Sequence, residues 1–489
     1  MADDEPQQVH VVFFPFMAYG HMNPTLDIAK LLADRGVKAT IITTPHSLPI
    51  ITKAVEENKV GSPTGTVYFE LFKFPSTQCG LPEGCEIVNQ AITIGMVPNF
   101  IKAVGMLKEQ LEQYLEKTRP SCLVADMFLT WTTECAAKFN VPRVVFHGTC
   151  YFALCAQEIV RLSTPYKNAT SDVEPFIIPS LPHEIKMTRL QISEDLRKEE
   201  LTDAKKELDL IKESELNSYG VIVNSFYELE PDYADFFSKE LGRRAWHIGP
   251  VSLCNRTSIK DKAQRGNSND QDSSLKWLNS KQQDSVIYIC FGSMTQFTVS
   301  QLHEIAVALE ASKQDFIWFV KNDEDEKSQE WLPTGFKQRM EGKGLILRGW
   351  APQLLILEHE AVGAFVTHCG WNSILEGITA GVPMVTWPGF AEQFYNEKLV
   401  TQVTKTGVSV GARICSMVPF IDDLVKRDAI EKALRDVMEG DEAREMRNRA
   451  NKLKEMSHKA VEEGGSSYSS LGAFINELKA SPCLTSLLL

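Results

Sequence analysis

The 489-residue chain lacks the patterns that would mark it as a metal-stapled, secreted or membrane protein. Its eleven cysteines include no Cys-x-x-Cys pair, and no histidine pair has zinc-ligand spacing, so no structural metal site is expected. Residues 1–8 are polar and acidic, whereas a signal peptide needs a basic start and an apolar run. No segment reaches the ~18 apolar residues of a membrane helix. We therefore predict a cytoplasmic protein with reduced cysteines and no membrane span.

Positive charge is also scarce. The chain has 64 Asp and Glu against 51 Lys and Arg, a formal net charge of −13. Because nucleic acids bind basic surfaces, no nucleic-acid partner is expected. Three motifs are missing as well: the Gly-x-x-x-x-Gly-Lys-[Ser/Thr] loop, Gly-x-Gly-x-x-Gly after the first predicted strand, and Gly-x-Ser-x-Gly. Their absence argues against a P-loop ATPase, a nicotinamide dehydrogenase and a serine hydrolase, respectively.

The chain does contain a repeated strand–helix–strand pattern. Residues 9–16 form a β-branched and aromatic run that is typical of a buried strand. Asn23 can cap a helix and Pro24 suits its first position, and residues 37–43 predict the next strand. Such βαβ units form parallel sheets. Because similar units recur in both halves, the sequence predicts an α/β protein with two doubly wound domains.

The boundary between the two halves is marked by composition. Residues 255–284 are rich in Asn, Ser, Gln, Asp and Lys, and we interpret most of them as an interdomain linker. The linker separates an N-terminal domain of residues 1–254 from a C-terminal domain of residues 285–465.

Ligands of open α/β sheets bind beyond the carboxyl ends of the strands. In the second half, four predicted strands end in segments rich in glycine, tryptophan and polar donors, at residues 291–293, 348–353, 368–373 and 387–393. The third segment opens a helix whose free N–H groups and dipole attract a phosphate. It is therefore the strongest candidate for an anion site.

The side chains around this helix start suit the parts of a nucleoside diphosphate. His368, Asn372 and Ser373 can donate to the diphosphate. Glu376, one turn further on, has the wrong charge for a phosphate but can accept from two ribose hydroxyls. Trp350 offers a flat face to a base.

A nucleotide-sugar signature covers residues 350–393, which read WAPQLLILEHEAVGAFVTHCGWNSILEGITAGVPMVTWPGFAEQ. This run resembles the signature of the plant secondary-product UDP-glycosyltransferases (glycosyltransferase family 1), and the likeness extends over nearly the whole chain. The chain is most similar to the branch acting on hydroxycoumarins, flavonoids, triterpenoids and steroids. The resemblance implies GT-B architecture, in which an acceptor-binding and a UDP-sugar-binding Rossmann-like domain face each other across a cleft. It also implies that segment 466–489 is a helix crossing back to the first domain.

The resemblance further implies the parts of the donor that each residue binds. Trp350, followed by Ala351 in the same site, would stack on uracil, and Gln353 and Glu376 would bind the ribose. Residues on the diphosphate would be Ser293, His368, Asn372 and Ser373, and those on the sugar Trp371, Glu392 and Gln393. Gln393 is the family's usual residue for glucose. UDP-glucose would be a substrate; no cofactor is expected, and no metal is needed if His368 and the helix start neutralise the leaving diphosphate.

His21 and Asp126 are the catalytic candidates, because both end strands of the first domain and so face the cleft. A neutral imidazole can take the proton from an acceptor hydroxyl as it attacks the anomeric carbon. A carboxylate on the other ring nitrogen fixes the tautomer. The alternatives are structural: a packed histidine, and a carboxylate that caps a helix or accepts a buried hydrogen bond.

The acceptor pocket is predicted to be apolar and lined by aromatic residues. Its candidate residues are Phe16, Tyr19, Gly20, Phe128, Tyr151, Phe390 and Ala391. Tyr19 and Phe128 lie in segments that depart from the family's common pattern, which leaves the acceptor's identity open. Core packing explains Tyr151 equally well.

Together these features predict a monomeric, inverting, UDP-glucose-dependent O-glucosyltransferase that forms a β-glucoside of a plant small molecule. The acceptor would be a flavonoid, hydroxycoumarin, triterpenoid or steroid. Three alternatives remain: the same reaction with another UDP-sugar, a nucleotide-sugar epimerase, and a catalytically inactive UDP-binding protein.

Overall fold

Two parallel sheets and one antiparallel hairpin form the strand framework of the computed structural model, which describes residues 8–49, 51–52, 65–198, 200, 202–255, 269–320, 331–349, 352–417 and 424–480. Within these ranges the strands of the first half are β1 His10–Phe14, β2 Lys38–Thr43, β3 Val67–Leu71, β4 Cys122–Asp126, β5 Arg143–Phe146, β6 Pro175–Ile178, β7 Ile185–Thr188, β8 Gly220–Val223 and β9 Ala245–His247. Those of the second half are β10 Val286–Cys290, β11 Asp315–Val320, β12 Gly344–Arg348, β13 Val362–Thr367, β14 Met384–Thr386 and β15 Gly407–Ser409.

The first sheet has the order β3-β2-β1-β4-β5-β8-β9, and neighbouring strands run parallel. Its central strands β1 and β4 are buried along their whole length, as expected when both faces are covered. The hairpin β6–β7 lies outside this sheet. Helices of this half span Tyr19–Ala33, Val88–Thr93, Val97–Gly105, Lys108–Thr118, Thr132–Lys138, Tyr151–Ser163, Glu194–Arg197, Asp203–Leu216 and Pro231–Asp235.

The second sheet has the order β12-β11-β10-β13-β14-β15 and is also parallel. Helices of this half span Asn269–Leu278, Val299–Ser312, Phe336–Arg339, Gln353–Leu357, Trp371–Ala380, Gln393–Lys398, Arg427–Met438, Gly440–Val461 and Ser466–Ala480. The prediction of two doubly wound α/β units is confirmed.

The helix after β1 begins at Tyr19, with Ala18 as its N-cap, and Pro24 lies inside it. The prediction that Asn23 caps this helix and that Pro24 opens it is therefore wrong. A proline has no N–H, so the carbonyl four residues earlier, that of Gly20, has no helical partner. That carbonyl instead accepts a hydrogen bond from Asn372 Nδ2 at 2.9 Å. A residue beside the second sheet therefore satisfies the carbonyl that Pro24 leaves without a helical donor.

The helix Ser466–Ala480 packs on the first sheet. Its Phe474 is fully buried against Trp246 of β9, with ring centroids 4.9 Å apart. Glu477 accepts a hydrogen bond from Tyr219 Oη at 2.6 Å. The domain boundaries themselves remain predictions. Residues 256–268 of the predicted linker and residues 481–489 of the C-terminal segment lie outside the described residues.

The carboxyl ends of the two sheets face each other. Asn224 follows β8, and its backbone carbonyl accepts a hydrogen bond from Trp371 Nε1 at 2.7 Å. Trp371 is the first residue of the helix after β13. Residues that follow strands of both sheets therefore meet in one cleft. Across the residues described, no helix combines the length and apolar character needed to cross a membrane.

Candidate active site

A histidine–aspartate pair lies on the N-terminal side of the cleft. His21 is in the first turn of helix Tyr19–Ala33, and Asp126 is the last residue of β4, the strand beside β1. His21 Nδ1 and Asp126 Oδ2 are 2.6 Å apart. The Asp126 side chain is fully buried, and its other oxygen accepts from the Phe128 backbone N–H at 3.1 Å. With Nδ1 held by the carboxylate, Nε2 is the nitrogen that can take a proton.

The electrostatics of His21 favour proton uptake. Burial alone would lower the pKa of His21, but the charge and hydrogen bond of Asp126, together with the charge of Glu392, raise this pKa above its ordinary value. Glu392 belongs to the C-terminal side of the cleft, and burial raises its own pKa. A histidine between two carboxyl groups is therefore suited to act as a base whose protonated form is stabilised.

Arg143 supports this pair from behind and was missed by the sequence analysis. It opens β5, is almost fully buried, and donates from Nη2 to the Asp126 carbonyl at 3.2 Å. Its Nη1 donates to Ser214 Oγ at 2.7 Å and to Thr133 Oγ1 at 2.9 Å. Burial lowers the pKa of Arg143 to about 10, so the guanidinium remains charged at neutral pH. An arginine at the start of an otherwise apolar strand was the available sequence signal.

Two of the predicted acceptor-site aromatics flank the histidine. The ring centroids of Phe16 and Phe128 lie 6.0 and 5.6 Å from that of His21 and 5.0 Å from each other. Tyr19 and Gly20 precede His21 in the same helical turn. Tyr151 is instead almost fully buried and packs against Phe237, with centroids 5.5 Å apart. The structure therefore brings Phe16 and Phe128 to the base and places the Tyr151 ring in the core.

A second polar cluster lies on the C-terminal side of the cleft. Gln353 Nε2 donates to Glu376 Oε2 at 2.6 Å and to Ser373 Oγ at 3.2 Å. Burial raises the pKa of Glu376 to about 7; the hydrogen bond from Gln353 opposes this shift and the charge of Asp27 adds to it. These three predicted donor-site residues therefore form one connected group. Two further predicted donor-site residues, Trp350 and Ala351, lie outside the described residues.

His368 sits between two glycines that leave room for its ring. A Cβ atom on Gly370 would lie 2.5 Å from His368 Nε2, and one on Gly292 would lie 2.7 Å from its Cε1. Burial lowers the pKa of His368 to about 4, so the ring is neutral near pH 7. Its buried Nδ1 has no hydrogen-bond partner among the residues that the structure describes. Ser293, another predicted diphosphate ligand, directly follows Gly292.

Two predicted donor ligands also join the two sides of the cleft. The Trp371 side chain is almost fully buried, and its indole N–H is used by the Asn224 carbonyl. Asn372 donates to the Gly20 carbonyl, next to His21 in sequence. The sequence pattern could not reveal either contact, since the partners are more than 140 positions apart.

The predicted sugar and acceptor residues after β14 form a tight turn. Gln393 is buried, and its Oε1 accepts from the backbone N–H groups of Gly389 at 2.9 Å and Phe390 at 3.2 Å. Ala391 adopts the left-handed conformation, with φ of 54°. Glu392 accepts from Asn396 Nδ2 at 3.3 Å. Gln393 therefore keeps its Nε2 as the side-chain donor that can serve a ligand.

Over the part of the chain that the structure covers, no group of three His, Cys, Asp or Glu side chains is placed to hold a metal ion.

Comparisons with known proteins agree on one family. Residues 26–448 match the family described as UDP-glucoronosyl and UDP-glucosyl transferase. The chain is 56% identical over 474 residues to scopoletin glucosyltransferase of Nicotiana tabacum, covering 96% of this chain and 98% of the relative. It is 53% identical over 485 residues to anthocyanin 3'-O-beta-glucosyltransferase of Gentiana triflora, covering 97% and 99%, respectively.

A solved structure gives the same answer for the fold. The crystal structure of Glycyrrhiza uralensis UGT73P12 complexed with glycyrrhetinic acid 3-O-monoglucuronide superimposes with a TM-score of 0.90 at 41% identity, covering 97% of this chain and 96% of that one. The predicted GT-B architecture and the resemblance to plant secondary-product enzymes are thereby confirmed. The chain belongs to the UDP-glucoronosyl and UDP-glucosyl transferase family and is a UDP-glycosyltransferase.

Proposed function

We propose that this enzyme transfers glucose from UDP-glucose to a hydroxyl of a plant phenolic or triterpenoid, with inversion at the anomeric carbon. The observation that carries the proposal is the 2.6 Å contact between His21 and Asp126 on the N-terminal side of the cleft. Phe16 and Phe128 flank this pair, and the charge of Glu392 acts on it from the opposite side.

The proposed reaction is a single displacement. His21 Nε2 takes the proton of the acceptor hydroxyl while that oxygen bonds to the anomeric carbon of the sugar. The bond from this carbon to the diphosphate breaks, and its electron pair leaves on UDP. Asp126 stabilises the imidazolium, which then gives its proton to solvent. Attack from the face opposite the diphosphate converts UDP-α-glucose into a β-glucoside.

The donor is proposed to lie along the second sheet's edge. The connected group of Gln353, Ser373 and Glu376 supports a ribose-binding role, because its carboxylate is partly buried, held on one side by Gln353 and able to accept from hydroxyls. The Nδ1 of His368 has no hydrogen-bond partner among the described residues, which supports a role in binding diphosphate oxygens; Asn372 and Ser373 at the helix start support the same role. The roles of Ser293 on the diphosphate and of Trp350 and Ala351 at the uracil remain predictions from the sequence.

The sugar is proposed to contact three residues. The indole N–H of Trp371 donates to the Asn224 carbonyl and its backbone N–H to the Glu392 carboxyl, so we propose that Trp371 borders the sugar and holds Glu392 in place. Glu392 would accept from sugar hydroxyls, and Gln393 would donate through Nε2, since its Oε1 holds the turn before it. Glucose is proposed over other UDP-sugars because Gln393 is the family's usual residue for glucose and because relatives are named as glucosyltransferases.

The acceptor class is proposed from the cleft's apolar wall and from the relatives. Phe16 and Phe128 provide a surface for a planar or hydrophobic molecule beside the base. Relatives named for scopoletin and for anthocyanin, and a structure bound to a glycyrrhetinic acid glucuronide, support hydroxycoumarin, flavonoid or triterpenoid acceptors. Tyr19, Gly20, Phe390 and Ala391 would complete this pocket, and Tyr151 would support it from the core.

The remaining proposals concern the metal requirement, the oligomeric state and the cellular location of the enzyme. We propose that transfer needs no added metal, because the helix start and His368 can bind the leaving diphosphate. We also propose a cytoplasmic monomer, and the described cysteines are free thiols. Turnover in the presence of a chelator tests the metal requirement. Size-exclusion chromatography with light scattering tests the monomer, and microscopy of a fluorescent fusion tests the location.

Product analysis tests the main proposal. The full-length protein is incubated with UDP-glucose alone and with hydroxycoumarin, flavonoid, triterpenoid or steroid acceptors, and products are identified by mass and by the anomeric coupling in NMR. One β-glucoside per UDP released is expected. Conversion of the sugar nucleotide without acceptor would indicate an epimerase. UDP binding with no turnover on any acceptor or UDP-sugar would indicate an inactive binding protein.

A further inference from the structure

A buried tyrosine lies directly beneath the proposed ribose-binding group. Tyr288 is in the middle of β10 and has no exposed surface. Its ring stacks on Phe365 of β13, with centroids 5.2 Å apart and planes 19° apart, and meets Phe319 of β11 edge-on at 6.1 Å. These neighbours hold the ring from both adjacent strands, so the position of its hydroxyl is well fixed.

The hydroxyl points at the group that organises the proposed ribose site. Tyr288 Oη donates to Gln353 Oε1 at 3.1 Å, and the amide nitrogen of Gln353 donates to Glu376 and Ser373. The carboxylate of Glu376 can only accept when ionised, so the amide nitrogen has to face it. A donor on the opposite side then matches the amide oxygen, and Tyr288 supplies that donor.

Packing alone does not account for this tyrosine. Its ring neighbours Phe319 and Phe365 are apolar, and a phenylalanine would fill the same place without burying a hydroxyl. The hydroxyl also meets the Cys290 thiol, which is a weak hydrogen-bond partner. The bond to Gln353 is therefore the interaction that offsets the burial of the hydroxyl.

We propose that Tyr288 is a positioning residue for the nucleotide donor, which fixes the Gln353 amide so that Glu376 presents its carboxylate to the ribose hydroxyls. The inference rests on the proposed function, because it takes the Gln353–Glu376 pair as the ribose site. Tyr288 touches neither the sugar nor the base, and it acts through Gln353. Its loss should therefore weaken recognition of the ribose diol, with little effect on the chemical step at His21.

The test compares UDP with 2',3'-dideoxy-UDP, which lacks both ribose hydroxyls, by calorimetry on the full-length protein. Wild-type protein is expected to bind UDP about 10-fold or more tightly than the dideoxy analogue. In Tyr288→Phe this ratio should fall to about 3-fold or less, and KM for UDP-glucose should rise while kcat stays within about 3-fold. Replacing Gln353 with Ala should remove any further effect of Tyr288→Phe.

Two controls separate a positioning role from loss of a buried hydroxyl. Tyr395→Phe removes a buried hydroxyl of the same domain that has no hydrogen-bond partner among the described residues, and it should leave the ratio unchanged. Should Tyr288→Phe fold poorly, p-fluorophenylalanine at position 288 keeps the hydroxyl's volume but donates nothing, and the ratio should fall in the same way.

The outcomes distinguish this inference from the proposed function. A wild-type ratio near 1, or no UDP binding, would contradict the proposed ribose site itself. If wild-type protein discriminates and the position-288 variants discriminate equally well, the inference is wrong while the ribose site stands. Equal weakening of UDP and its dideoxy analogue would overturn it too, because a purely structural role predicts that result.

Discussion

The side-chain amide of Asn372 donates to the carbonyl of Gly20 across the cleft, at 2.9 Å. This carbonyl is the one that Pro24 leaves without a partner inside helix Tyr19–Ala33. The bond ties the start of the proposed diphosphate-binding helix to the turn that carries His21. One residue therefore links the donor side of the enzyme to its base.

Replacing Asn372 with Ala should weaken both functions of this contact. We expect the affinity for UDP-glucose to fall about 10-fold, because a hydrogen-bond donor to a charged group is lost. We also expect kcat to fall, because the helical turn that carries His21 loses its hydrogen bond from Asn372. Calorimetry and steady-state kinetics measure the two effects. Asn217→Ala, at an exposed helix end, is the matched control and should change neither. An unchanged affinity would remove Asn372 from the diphosphate site.

The side chain of Trp371 should contribute more to the stability of the fold than to binding of the UDP-sugar donor. Replacing it with Phe leaves the buried Asn224 carbonyl without its indole donor, which should cost about 1–3 kcal/mol in the free energy of unfolding beyond the loss of ring volume. Denaturant unfolding measures the loss, and Trp318→Phe, another almost fully buried tryptophan, corrects for volume. A large fall in UDP-glucose affinity with unchanged stability would show instead that the indole binds the sugar.

The pH dependence of turnover should report the pKa of His21. Asp126 and Glu392 outweigh burial and raise this pKa, so the neutral, basic form of His21 accumulates at a higher pH than for an ordinary histidine. The value of kcat/KM should therefore rise with pH through the raised pKa. Asp126→Asn removes the larger of the two opposing charges. Its profile should shift to lower pH, while its plateau rate falls because the imidazolium loses its partner. Identical profiles in both proteins would contradict the pairing.

Donor binding should have a separate pH dependence that originates from Glu376. Burial raises the pKa of this carboxyl to about 7, so a large fraction is neutral below that pH, whereas the ionised form accepts ribose hydroxyls better. Affinity for UDP-glucose should therefore rise as pH increases through about 7. Glu376→Gln should bind more weakly and lose this dependence. UDP-glucose is preferred to UDP as the probe because it has no terminal phosphate that titrates in this range.

The sequence sufficed for features that depend on local pattern. The buried strands, the parallel sheets and the helix start at Gly370 follow from apolar runs and from residues that cap or end helices. The sequence also predicts the pairing of His21 with Asp126, because it places both at strand ends that face the cleft. In the structure Asp126 does end β4, whereas His21 lies in the helix that follows β1.

Features that depend on distant partners could not be predicted. Asn372 satisfies the Gly20 carbonyl that Pro24 leaves without a donor inside the helix, and no local signal indicates that contact. Arg143 and Tyr288 look like isolated residues in apolar strands, and only the packed structure shows what they hold. The hydrogen bond from the Trp371 indole to the Asn224 carbonyl likewise becomes visible only in the packed structure.

The central claim is that His21 is the base of a direct displacement, and replacing it with Ala tests this most directly. His359→Ala is the matched control, since His359 lies before β13, at the edge opposite the cleft, and bonds Asn279. Turnover of UDP-glucose with an accepted hydroxyl compound is measured beside the Kd for UDP-glucose. We expect kcat of His21→Ala to fall at least about 10²-fold, with the Kd within about 3-fold of wild type. Near-normal turnover in His21→Ala would contradict the account.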